Sequence, residues 1–162
     1  GFVCNKLYKT DLILKNDIFY NESYHMYEDQ NFVTEAMIHS DKIVYENQHL
    51  YYYELHDSNS SNQVNERRMT GIDAYEDTIK KVAAFEPSLV PAYQQVYAEI
   101  LISTVAQTAG NNPVFTKRIQ DKLKTIPSNQ IQSSTVKLSR ILALTTPGVL
   151  KTLIRIKNRG NN

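Results

Sequence analysis

Leu50-Tyr51-Tyr52-Tyr53-Glu54-Leu55, with Lys42-Ile43-Val44-Tyr45-Glu46 shortly before it, decides how the fold is read. Both stretches are rich in aromatic and β-branched residues, the composition of strands. In a strand, Tyr51 and Tyr53 would share one face and Tyr52 would take the other. Upstream, Glu28 to His39 carries Phe32, Val33, Ala36 and Met37 at spacings of three and four, which predicts a helix with one apolar stripe. Asp11 to Lys15 reads as a short helical turn, and Asp17-Ile18-Phe19-Tyr20 as a short extended piece. Helix and strand signals therefore mix in this region.

Ser58-Asn59-Ser60-Ser61-Asn62-Gln63 is a polar run that marks the expected boundary, with one region at 1–60 and a second at 61–162. The second region reads as helices. Thr70-Gly71-Ile72-Asp73 resembles a capping box, and Ile72, Tyr75, Ile79, Val82 and Ala83 form the stripe behind it. A longer helix runs from about Ser88 to Ala109, with Leu89, Tyr93, Val96, Tyr97, Ile100, Leu101, Thr104 and Val105 on one side. Gly110 is placed to stop it. Asn112-Pro113 opens the next helix, carrying Phe115, Ile119 and Leu123. Ser133 to Leu144 and Thr146-Pro147 through Ile156 give the last two. The fold class expected for the whole chain is α+β, mainly α.

At 162 residues, 41% hydrophobic and 22% charged, the chain is long enough for one domain or one and a half with a substantial core. The single Cys4 excludes an intrachain disulfide and gives no sign of an oxidising compartment. No apolar run reaches the roughly 18 residues that span a bilayer, and no leader pattern is read, so a cytoplasmic location is expected. Gly1 stands where Met would be expected, with apolar Phe2-Val3-Cys4 directly after it, and the chain is expected to be cut from something longer. A net charge of +1 hides an asymmetry: residues 1–64 hold four Lys and ten acids, residues 65–162 fourteen Lys or Arg and seven acids. The two parts are expected to face different partners.

Four groups could carry chemistry. Glu28-Asp29 opens a helix, where unpaired N–H groups and the positive dipole end favour negative charge. A carboxylate held there can take a proton from an attacking hydroxyl. Acids at helix starts are also ordinary capping residues. His56 could bind a divalent metal or be a surface histidine at a strand end. His25, His39 and His49 have no spacing that builds a zinc site with it. Tyr51 to Tyr53 could face sugar rings, with packing as the default. Asn5-Lys6-Leu7-Tyr8 is a weak signal by itself.

These segments together resemble the second half of a bacterial family 2 glycosyltransferase of GT-A fold. The carriers are, in order, Asn5-Lys6-Leu7-Tyr8, Ile18-Phe19-Tyr20-Asn21-Glu22, Glu28-Asp29-Gln30-Asn31-Phe32, and Leu50 to Tyr53 with His56 and Ser58. The resemblance spans about residues 2–60. It implies the acceptor half of an α/β GT-A core at 1–60, followed by a helical C-terminal extension at 61–162. It implies an inverting transfer of a sugar from a nucleotide-sugar donor to a hydroxyl on a glycan or lipid-linked acceptor, in surface-polysaccharide or cell-wall polymer synthesis. By the same resemblance Asp29 matches the catalytic base and Glu28 its acceptor-orienting neighbour. Asn5, Lys6 and Tyr53 fall on the substrate side. His56 matches a metal–diphosphate ligand, although Glu54 stands where an arginine is common. Mg²⁺ or Mn²⁺ is implied for the full-length enzyme. These 162 residues contain no Asp-x-Asp metal motif, so this stretch alone is expected to be inactive. The rival expectation is a non-enzymatic helical interaction or membrane-adaptor module.

From Ser133 to Gly160 the chain has Lys137, Arg140, Lys151, Arg155, Lys157 and Arg159 and no acid. Apolar residues alternate with them. Such a segment can dock on an anionic membrane, at the inner face of the cell membrane, or pack on the core with its charges in solvent. No aromatic-plus-basic groove suggests nucleic acid as a partner.

Overall fold

The computed structural model describes residues 3–52, 54 and 66–159, which form seven α-helices. They are α1 Thr10–Lys15, α2 Glu28–Ile38, α3 Glu66–Phe85, α4 Val90–Thr108, α5 Pro113–Thr125, α6 Ser134–Thr145 and α7 Pro147–Arg159. The chain divides into two compact units, Gly1–Pro87 and Ser88–Asn162.

No strand occurs among the described residues, which corrects the expected α+β class and the α/β GT-A half-core at 1–60. Residues 42–46 and 50–52 are irregular and exposed, and the Leu50 N–H closes only a local turn onto the Gln48 carbonyl. Composition made them strand-like, but a strand is held by a partner's hydrogen bonds and a buried sheet face. The described residues offer neither. Residues 17–20 likewise make no strand. Asp17 turns through a left-handed φ of 49°, and the Ile18 N–H bonds back to the Ile13 carbonyl at 3.1 Å. This wraps the chain around the end of α1 and buries Ile18 completely.

The first unit rests on α2 against α3. Val33 and Ala36 of α2 and Ile72, Tyr75, Ile79 and Val82 of α3 are buried, whereas Met37 and Ala83, expected on the same stripes, are exposed. The stripe on α2 also includes a polar residue, Asn31, which is 5% exposed. Its amide donates toward the Ala74 carbonyl, Asp77 and Thr78, and its oxygen accepts from Lys81 Nζ at 2.9 Å. Lys81 also pairs with Glu35 and Asp77, so one network satisfies the buried amide and fixes the register of α2 on α3. Thr70 does not cap a helix. α3 already begins at Glu66, and the Thr70 hydroxyl instead accepts the His25 N–H at 3.0 Å. The polar boundary expected at 58–63 lies outside the described residues.

The second unit is built around α4, which packs against α5, α6 and α7. Neighbours on several sides explain why its buried residues exceed one stripe: Ala98, Ile102 and Ala106 are buried beside Tyr97, Leu101 and Val105. Leu89 and Val96, expected on the buried side, are exposed. Thr104 and Thr108 are buried because their hydroxyls bond back to the carbonyls of Ile100 and Thr104. Gly110 takes φ 79° just past α4, a conformation glycine adopts without strain. Asn112 caps α5 through the Phe115 N–H, and Ser133 caps α6 through the Val136 N–H.

Two residues of the basic tail act inside this unit. Arg140 reaches the end of α5, donating to the Ile126 carbonyl at 3.0 Å and to Ser128 at 2.6 Å, with longer contacts to the Leu123 and Lys124 carbonyls. Lys151 donates to the Ala109 carbonyl at the end of α4, at 2.7 Å. Helix C-termini expose carbonyls with no intrahelical partner, and cations satisfy both the hydrogen bond and the dipole. Among the described residues no helix is long and apolar enough to cross a membrane.

Candidate functional site

The start of α2 is where the first unit gathers its carboxylates and aromatic rings. Tyr27, directly before Glu28, sits at φ 59° and ψ 11° with no side-chain cap. A left-handed tyrosine is strained by roughly 1–3 kcal/mol, so packing must hold it. Its ring meets Tyr75 of α3 edge-on, with centroids 5.8 Å apart. Burial raises the Tyr27 hydroxyl above its usual pKa, against the pull of Arg68 and with a further push from Asp29.

Gly71 makes this approach possible. A Cβ at this position would lie 2.6 Å from Met26 Cβ and 3.0 Å from the Tyr27 ring. Alanine inside a helix normally gains up to about 1 kcal/mol over glycine. Gly71→Ala is expected to do the reverse, destabilising the chain by about 1–3 kcal/mol as Met26 and Tyr27 are pushed off α3. Urea unfolding checks it, and an unchanged or raised midpoint would show that the contact yields freely.

The turn at Tyr27 aims the first residues of α2. Asp29 Oδ1 accepts the Gln30 N–H at 2.7 Å, and its other oxygen has no hydrogen bond among the described residues. Glu28 Oε2 is buried with no hydrogen-bond partner among them, and so is the Tyr8 hydroxyl. Both atoms keep unused hydrogen-bonding capacity, which buried polar groups rarely do.

Three rings stand beside the acids. Phe32 stacks on Tyr20 with centroids 4.7 Å apart and planes 4° from parallel. Tyr8 meets the same Phe32 edge-on at 5.4 Å. Burial raises the Tyr8 hydroxyl above its usual pKa, followed by Tyr20, Asp29 and Cys4. Burial, then Asp29, then Glu28 do the same for Tyr20. Both phenols therefore remain O–H donors at neutral pH, beside Asp29.

The fold thus brings Asp29 and Glu28 together with Tyr8, Tyr20 and Phe32. Sequence reasoning had not assigned those three rings to the site, since no periodicity links positions 8, 20 and 32. Asn5 and Lys6 lie exposed, three and two residues ahead of Tyr8, and Asn5 adopts a left-handed φ of 61°. Asparagine tolerates that region better than most residues. Tyr53 and His56 lie outside the described residues.

The described residues include no group of three His, Cys, Asp or Glu able to hold a metal ion. They do not by themselves fit the Mg²⁺ or Mn²⁺ that the resemblance implies. Comparison with protein-family models, curated proteins and solved structures returned no match to this chain.

Proposed function

We propose that residues 1–60 carry acceptor-side residues of an inverting glycosyltransferase. They work with a donor-binding half that these 162 residues do not supply, and this stretch alone is inactive. One observation carries the reading: Asp29 and Glu28 converge with Tyr8, Tyr20 and Phe32 at one helix start. Carboxylates accept from sugar hydroxyls, and aromatic faces pack against the C–H faces of sugar rings. A cluster of carboxylates and aromatic rings of this kind suits a glycan.

In this reading Asp29 removes the proton of the acceptor hydroxyl as that oxygen attacks the anomeric carbon of the donor sugar. The bond from that carbon to the diphosphate oxygen breaks, and the nucleoside diphosphate leaves with the electron pair. Glu28 orients the acceptor beside Asp29, and Asn5 and Lys6 border the acceptor path. Tyr53 and His56, which lie outside the described residues, are proposed for the substrate and metal–diphosphate side from the resemblance alone. The metal, Mg²⁺ or Mn²⁺, and the nucleotide-sugar are held with the donor-binding half. The product belongs to a surface or cell-wall polymer, made in the cytoplasm against the inner face of the membrane.

The test is transfer itself. The protein, paired with a nucleotide-sugar-binding half, is given UDP-, GDP- and dTDP-sugars with and without glycan acceptors. Acceptor-dependent release of nucleoside diphosphate is expected. No release with any donor would overturn the reading. The all-helical architecture favours a second reading, a non-enzymatic helical interaction or adaptor module, which predicts no release.

A further inference from the structure

The second unit carries ten Lys or Arg and only two acids, Glu99 and Asp121. Asp121 is already paired with Lys117 and Lys124 on α5. α6 and α7 pack on each other and on α4 through Val136, Ala143 and Leu150, yet each helix shows a second apolar stripe to solvent. On α7 this stripe is Val149, Leu153 and Ile156, exposed by 51%, 48% and 62%. On α6 it is Leu138 and Ile141, at 61% and 58%. The spacings of three and four residues set each group on one helix face. A helix that satisfied only its own core would place polar residues there.

The charges stand beside these stripes. Successive residues lie about 100° apart around a helix, so Arg155 and Lys157 flank Ile156 on its two sides. Both are exposed, as is Lys137 next to Leu138. Arg140 and Lys151 take no part, because they bond the carbonyl ends of α5 and α4.

We infer that α6 and α7 form a docking face for an anionic lipid bilayer, with Leu138, Ile141, Val149, Leu153 and Ile156 entering the headgroup boundary and Lys137, Arg155 and Lys157 pairing with lipid phosphates. Two features single out this occupant. Aliphatic side chains gain by leaving water for an acyl boundary, which a nucleic acid does not provide. The segment is free of acids, so opposite charge is complementary along its whole length, whereas a second copy of the same face would bring basic residues against basic residues. The face requires no sugar transfer, so its test stands apart from that reading.

The test is flotation of the intact chain with vesicles of phosphatidylcholine alone or mixed with phosphatidylglycerol. The chain is expected to float with the mixed vesicles at low salt, to stay behind with neutral ones, and to be released by raised salt. Arg155→Gln and Lys157→Gln should each weaken binding about fivefold. Leu153→Ser with Ile156→Ser should weaken it at least about tenfold. All four positions are exposed, and circular dichroism checks that the helices persist. Equal recovery on neutral and anionic vesicles would overturn the proposal, as would variants that bind like the parent. Sedimentation that reveals a dimer dispersed by Leu153→Ser, without flotation, would assign the face to a second copy instead. Tight binding to a short duplex that survives Leu153→Ser, again without flotation, would assign it to nucleic acid.

Discussion

Asp29→Asn is expected to lower turnover by about 10²–10⁴-fold in the enzyme that includes the donor-binding half, the range a positioned general base contributes. The amide keeps the size of the side chain and can still accept the Gln30 N–H, so that contact survives. It has no carboxylate to take the acceptor proton. Stability should stay within about 0.5 kcal/mol of the parent, which separates a chemical loss from a folding loss. The acceptor KM should move little, because ground-state binding rests mainly on Glu28 and the aromatic rings. Steady-state kinetics with a thermal melt on the same sample measures both. Parent-like turnover would remove Asp29 from the mechanism.

Leu101→Ala is expected to cost about 2–5 kcal/mol of stability. Leu101 is completely buried on α4, which packs against α5, α6 and α7. Removing its branched end leaves a cavity in the core of the unit, where Ile102 and Val105 of the same helix are themselves buried. Val96→Ala provides the contrast, since Val96 lies on the same helix but is exposed. It should change stability by no more than about 0.5 kcal/mol. Urea denaturation of both variants checks the pair. Equal effects would mean that α4 is not the centre of the unit.

The helices were legible wherever spacing and termini agreed. Ile72, Tyr75, Ile79 and Val82 gave the buried face of α3, and Asn112-Pro113 and Ser133 gave the starts of α5 and α6. These signals are local, because a cap or a stripe is written within a few turns of one helix. The strands failed because residues 42–46 and 50–52 carry strand composition without a partner to pair with, and pairing is a long-range property. The same limit hid the buried role of Asn31. A polar residue in an apolar stripe reads as solvent-facing until Thr78 and Lys81 of α3 are seen to meet it.

The candidate site was legible in part. Glu28 and Asp29 could be picked out because two acids before an apolar stripe mark a helix start. Tyr8, Tyr20 and Phe32 could not be tied to them, since their stacking depends on the wrap after α1 and the left-handed turn at Tyr27. The basic tail misled in the opposite sense. Arg140 and Lys151 read as part of a charged surface, but their contacts are with carbonyls at helix ends.

The most direct test of Asp29 as a base is the anomeric configuration of the transferred sugar, read by proton NMR of the product. A base that deprotonates the acceptor supports a single displacement, with attack from the face opposite the diphosphate, so inversion is predicted. Retention of the donor's configuration would contradict the account.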